Sequence, residues 1–276
     1  EKYAHAAAAG AAGFVFYDRR PGGLCAMGSI DLEGRLGKIP AVGISYEDAL
    51  ALRRADGAVA AVGTASSGAQ VTSHNGIGLK RGSGAGEVVV CGHMDSWFSP
   101  GAVDNGTGVA MVAELARLLA PYPLERSVRF VTFGSEELGL LGSKAHVRGR
   151  SDLDAIACVV NLDCSAVREG TLGATTNESP SLHAFVAAIA AALRVGVRMN
   201  AGLLCYSDHY PFRERGVPGV AYMSGGSSYG YGHTSCDTLD KVSPEAFTIP
   251  MLVAGVTVIE CAVGGVSFRG GKGVVG

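Results

Sequence analysis

Short apolar runs alternate along this chain with stretches whose apolar residues recur at helical spacing. Residues 128–133 and 156–163 are more continuously apolar than alternating, as strands buried on both faces are. Residues 71–80 and 87–91 read as strands around a glycine-serine turn at 82–86, and 218–223 as a further strand. Over 106–119, Val109, Val112, Leu115, Ala116 and Leu119 recur at helical spacing, and Pro121 and Pro123 end the pattern. Helices are also expected over 138–147, over 181–193 with Ser179 as cap and Pro180 at the first position, and over 244–262, where Pro250 would kink or split the helix. This order predicts the α/β class: a mostly parallel (mixed) sheet with helices on both faces, whose ligands bind beyond the carboxyl ends of strands.

A small α/β lobe precedes it. The pattern predicts a helix over 2–12, a strand over 14–17, a loop over 19–37, and a strand over 39–44 that Pro40 places at an edge. Ser45 then caps a helix over 46–54, with Glu47 and Asp48 in its first turn, and 58–62 closes the lobe as a strand. The small polar stretch TASSGAQ at 64–70 marks the boundary, giving a lobe of 1–64 and a second domain of 65–276. The glycine-rich tail from Gly264 is expected to be loose.

Composition narrows the function. The 276 residues are 47% apolar and 17% charged, with a formal net charge of -2. That gives a sizeable core and no electrostatic case for nucleic acid or a membrane surface. No apolar run reaches the roughly 20 residues that span a bilayer, and the start lacks the charged-then-apolar pattern of a leader peptide. The seven cysteines are odd in number and none has CxxC spacing, which argues against a thiolate zinc site. Cys91 and Cys158 fall in strand patterns as small core residues. Disulfide pairing, compartment and oligomeric state stay open.

The chemistry concentrates between Glu87 and Glu137 and continues downstream. One apolar run delivers His93 and Asp95, a glycine-bounded turn presents Asp104, and the next run delivers Glu136 and Glu137. Asp163 ends a third run, and His233 sits in a loop. Zinc takes imidazole and carboxylate ligands of this kind. Taken singly each has a plainer role: a structural histidine, a solvated glutamate pair, a helix cap, a loop residue. Taken jointly they suggest two ions sharing Asp104, with His93 and Asp163 completing one and Glu137 and His233 the other. Asp95 is placed to orient His93 by accepting its second N–H. Glu136 and Glu137 point in different directions, so Glu136 is free to act as general base on water. Tyr229 and Tyr231, in SGGSSYGYGHT, are either oxyanion partners or ordinary loop aromatics; Trp97 and Phe98 either wall the pocket or pack in the core.

HMDS, GAVDNGTG, SEELGLLGS, NLD and GHTSCDT, in that order, resemble the motifs of the co-catalytic dizinc aminopeptidase family, whose relatives include glutamate carboxypeptidase and the glutaminyl cyclases. The resemblance covers about residues 70–262. It implies two zinc ions held by His93, Asp104, Glu137, Asp163 and His233, Asp104 bridging, Glu136 as base and a cis Asp104–Asn105 peptide. YSDHYPF resembles a family segment near the substrate, which adds Tyr206, Asp208 and His209 as candidates. Residues 1–64, through KIPAVGISYEDALAL, resemble part of a protease-associated domain; members that carry one have a further catalytic segment before it, so the chain is expected to be a fragment or a processed form. The resemblance favours an extracytoplasmic site of action. The expected function is a zinc exopeptidase acting on peptides, foremost an aminopeptidase, with Tyr231 as a candidate oxyanion partner. A carboxypeptidase for acidic dipeptides, a one-zinc cyclase and an inactive binding homologue are the alternatives.

Overall fold

The structure, a computed structural model, describes residues 2–25, 27–30, 35–55 and 57–269. The N-terminal lobe carries α1 (Lys2–Ala8), β1 (Phe14–Tyr17), β2 (Ala41–Ile44) and α2 (Tyr46–Arg54), and β1 pairs with β2 in parallel as a sheet of its own. The larger part comprises β3 (Gly76–Lys80), β4 (Glu87–His93), α3 (Thr107–Leu119), β5 (Ser127–Phe133), α4 (Leu141–Arg148), β6 (Ile156–Leu162), β7 (Thr171–Thr175), α5 (Pro180–Leu193), β8 (Arg198–Asn200), α6 (Tyr210–Arg213), β9 (Gly219–Gly225) and α7 (Thr248–Ala262). Its strands form one sheet in the order β3-β5-β4-β6-β9-β7-β8. The central strands β5, β4, β6 and β9 run parallel, while β3 is antiparallel to β5 and β7 to β9. The sheet is therefore mixed, with a parallel core whose carboxyl ends all open on one side.

Strand alternation sorts the core into two layers. Val88 and Val90 of β4 pack with Met111, Val112 and Leu115 of α3 and with Val253 and Val258 of α7. Val89 and Cys91 face the other way, toward Val147 of α4 and Phe212 of α6. Every residue of β4 is buried, and full burial of each valine contributes roughly 1.5–3 kcal/mol. Such anchoring fixes the position of whatever follows the strand ends.

Several expectations are corrected. The strand expected over 58–62 is absent: this segment is irregular, and within its run of small apolar residues Val59 is fully exposed. Residues 71–75 are likewise irregular, and β3 begins only at Gly76. The apolar pattern does not reveal β7 and β8, where glycine and polar residues blur the period. Ser45 does cap α2, its hydroxyl accepting from the Asp48 amide at 3.1 Å. Ser179 is at the cap of α5 but makes no side-chain cap bond. Pro250 causes no kink because it lies in the first turn of α7, where no helical N–H is lost. Together with the 3₁₀ turn before it, that helix runs Pro244–Ala262; its 19 residues do have the length and apolar composition of a membrane span, contrary to the expectation from sequence, but Pro250, Val253, Ala254, Thr257, Val258, Cys261 and Ala262 are buried in the core. The tail is docked through Arg269, with Phe268 against Phe185 at 5.0 Å, and its remainder lies outside the described residues, as does part of the expected loop 19–37. All seven cysteines are free thiols, and Cys91 and Cys158 are core residues.

Candidate metal centre

Three neighbouring strands deliver the site. His93 is the last residue of β4, Glu136 and Glu137 lie just past β5, and Asp163 directly follows β6. Asp104 comes from the turn before α3, and His233 from the segment after β9. The Asp104–Asn105 peptide is cis. Asn105, itself buried, ties this turn to its surroundings: its amide donates to the Leu162 carbonyl at 2.9 Å and its oxygen accepts from the Gly108 and Cys164 amides, both at 3.0 Å. Gly108 is needed at this approach, since a Cβ there would meet the Leu162 carbonyl oxygen at 2.2 Å.

Two trios of ligand atoms result, His93–Asp104–Asp163 and Asp104–Glu137–His233, with the atoms of each within 4.8 Å of one another. His93 Nε2 lies 3.1 Å from Asp104 Oδ1 and 3.4 Å from Asp163 Oδ1. His233 Nε2 lies 3.2 Å from Asp104 Oδ2 and 2.9 Å from Glu137 Oε2. Asp104 thus turns one oxygen to each trio. A single N–H on each imidazole cannot serve two carboxylates well, whereas a cation between them can. Glu137 Oε1 is buried without a hydrogen-bond partner, which also fits a ligand waiting for a cation. The donor set of imidazoles and carboxylates suits zinc.

The electrostatics agree. Burial alone would lower His93, but Asp104, Asp163 and Asp95 hold it well above the ordinary imidazole range. Asp104 and Glu137 push His233 up to about 10. Burial works against ionising Asp104, yet His233 and His93 hold it below the usual carboxylate range. The pocket gathers positive charge from protons, the same demand that metal ions meet. Glu136 is only 8% exposed, and burial, with Asp163, Asp208 and Glu137 adding to it against His93, pushes its carboxyl up to about 10.

Some expected roles fall differently. His93 Nδ1 bonds the backbone carbonyl of Asp95 at 3.0 Å, while the Asp95 carboxylate is 3.6 Å away. That carboxylate instead accepts the amides of Glu136 and Glu137 at 3.1 and 3.2 Å, joining the ends of β4 and β5. A cleft of ≈ 420 Å³ opens over the trios, walled by Leu140, Lys144, Cys164, Cys205, Tyr206, Met223 and Tyr229. Tyr231 does not line it; Lys241 Nζ sits over its ring, 4.5 Å from the centroid. Asp208 and His209 are fully buried and out of reach of a substrate, whereas Tyr206 is 65% exposed. Trp97 is buried and stacks on His233 at 6.3 Å, and Phe98 is exposed. Two residues that the sequence did not single out support the ligands. Asp237 accepts the amides of Val103 and Asp104 at 2.8 and 3.0 Å. Ser207 donates to Asp163 Oδ2 at 2.6 Å and accepts from Asn161 at 2.7 Å. Asp237 lies in GHTSCDT with His233, where a polar residue close to a candidate ligand is the signal that could have found it; Ser207 lies in YSDHYPF, which holds no member of either trio and gives no such signal.

Fold and site together define an α/β protein with two adjoining trios of candidate metal-ligating side chains at the carboxyl ends of its sheet. The chain belongs to peptidase family M28, whose profile matches residues 77–254, and a PA domain matches residues 1–52. It is 32% identical over 261 residues to aminopeptidase YwaD of Bacillus subtilis, an alignment that covers 89% of this chain and 56% of that protein. The chain therefore spans little more than half the length of this relative. Among solved structures, that of BSAP, a zinc aminopeptidase from Bacillus subtilis, is similar with a TM-score of 0.74 and 28% identity, covering 95% of this chain and 66% of that one. A peptidase M28 precursor from Shewanella amazonensis is similar with a TM-score of 0.78 and 28% identity, covering 95% and 62%.

Proposed function

We propose that this chain carries the catalytic centre of a zinc aminopeptidase that binds two ions, one in each trio, with Asp104 shared. The carrying observation is the division of the Asp104 oxygens between His93–Asp163 and Glu137–His233, with the buried Glu136 carboxyl beside them. Zinc bound there supplies Lewis acidity, lowering the pKa of water and polarising a carbonyl. Glu136 takes the proton of the attacking water and returns it to the leaving amine. Cationic neighbours favour its ionised form, offsetting the burial that otherwise keeps it protonated. Asp95 fixes Glu136 and Glu137 through their amides, so base and ligand are held on one rigid support. Of the two phenols, Tyr229 is the better oxyanion partner because it lines the cleft; burial holds it above the ordinary phenol range, so it keeps its proton to donate. A division near residue 64 between a protease-associated lobe and the catalytic domain is part of the same reading, supported by the separate β1–β2 sheet.

The cleft supports the aminopeptidase over the acidic-dipeptide carboxypeptidase: no arginine lines it among the described residues, and Lys144 Nζ is occupied by the Gly139 carbonyl at 2.9 Å. The test is a panel of chromogenic aminoacyl substrates, free and amino-blocked, with chelator and with zinc restored. Cleavage of free substrates alone, lost to chelator and regained with zinc, is expected. Equal cleavage of blocked substrates, or indifference to chelator, would overturn the reading.

A further inference from the structure

His233 is the least supported of the ligand carriers. His93 ends a strand paired to β5 on one side and β6 on the other. His233 instead lies beyond β9, after Gly226, Gly230 and Gly232, and its side chain is 40% exposed against 2% for His93. Its φ of 59° lies in the left-handed region, where a non-glycine residue persists only when its surroundings enforce it. Trp97 stacks on its ring. The backbone is held from elsewhere.

Two hydrogen bonds cross from the N-terminal lobe. The Met27 amide donates to the His233 carbonyl at 2.8 Å, and the Arg20 guanidinium donates to the Gly230 carbonyl. The donors are themselves braced. Arg20 forks onto Asp18 through Nε and Nη2 at 2.8 and 2.6 Å. The Gly22 and Gly23 amides donate to Glu47 of α2 at 2.7 and 3.1 Å, and Leu24 is buried.

We propose that the N-terminal lobe is a positioning element of the metal centre: Arg20 and the Met27 amide hold His233, and thereby set the affinity of the ion served by Asp104, Glu137 and His233. The ion served by His93, Asp104 and Asp163 is left to the sheet. The inference rests on the two-ion reading above and assigns the lobe a function in metal retention.

Zinc titration against a chromophoric chelator tests it on the whole chain. Wild type is compared with Arg20→Met, Arg20→Lys, Met27→Pro and, as a control, Arg117→Met, which breaks only an exposed helical pair with Glu114. In Arg20→Met and Met27→Pro one of the two zinc ions, the one served by Asp104, Glu137 and His233, should loosen roughly 10–100-fold, the usual effect of losing a group that orients a ligand. The other zinc should stay at its wild-type affinity, Arg20→Lys should recover part of the loss, and the metal-free melting point of Arg20→Met should match that of Arg117→Met. Wild-type affinity for both ions in Arg20→Met would overturn the inference, and so would equal loss of both with a lowered melting point. Wild type binding a single zinc would instead overturn the two-ion reading, so the two failures are distinct.

Discussion

Asp237 accepts the amide N–H of Asp104 at 3.0 Å, with no exposure of its own to solvent. Its other oxygen accepts the Val103 amide, so one carboxylate fixes the turn that offers the shared ligand. Asp237→Ala should leave the strand-borne ligands in place and let Asp104 drift. Zinc affinity should fall roughly 10–100-fold, read by chelator competition; unchanged affinity would contradict this role.

Glu136 belongs to neither trio of candidate ligands. Glu136→Gln should therefore keep its zinc while turnover drops by on the order of 10²–10⁴, the range for losing a general base. Metal content and kcat measured on one preparation check both halves of the expectation.

The two loop phenols separate cleanly. Tyr229→Phe should lower kcat on a leucyl chromogenic substrate by on the order of 10², as loss of an oxyanion donor does. Tyr231→Phe should leave kcat near wild type, because its ring lies under Lys241 and outside the cleft.

His146 is half-buried beside Phe133 and Phe212, with ring centroids at 5.6 and 5.9 Å. Burial, then Arg150 and Arg129, push it down to about 4 from its ordinary 6.5. The folded pKa is depressed, so the stability gained from the neutral ring is complete above 6.5 and is lost as pH falls through 4. His146→Phe removes that titration. In urea unfolding, the variant should gain stability relative to wild type as pH drops through this window; a constant difference would contradict the assignment.

Much of the fold and of the site is legible in the amino-acid sequence. The buried strands stand out because parallel strands covered on both faces are continuously apolar, and the acids that follow them contrast with a chain only 17% charged. The proposed pairing of ligands rests on one carboxylate set among glycines, Asp104. What escapes depends on distance in the chain. β7 and β8 are stabilised by neighbours that local pattern does not encode. Residues 58–62 have strand-like composition but pair with neither edge of the β1–β2 sheet. Asp237 and Ser207 act on residues 133 and 44 positions away, and the bond from Met27 to His233 joins two lobes. Periodicity carries no trace of such contacts.

The proposed function stands or falls on two zinc ions sharing Asp104. An anomalous-difference map at the zinc edge, from crystals grown with zinc, tests it directly. Two peaks flanking the Asp104 carboxylate are expected, roughly 3.5–4 Å apart, one beside His93 and Asp163 and the other beside Glu137 and His233. A single peak, or none within reach of Asp104, would contradict it.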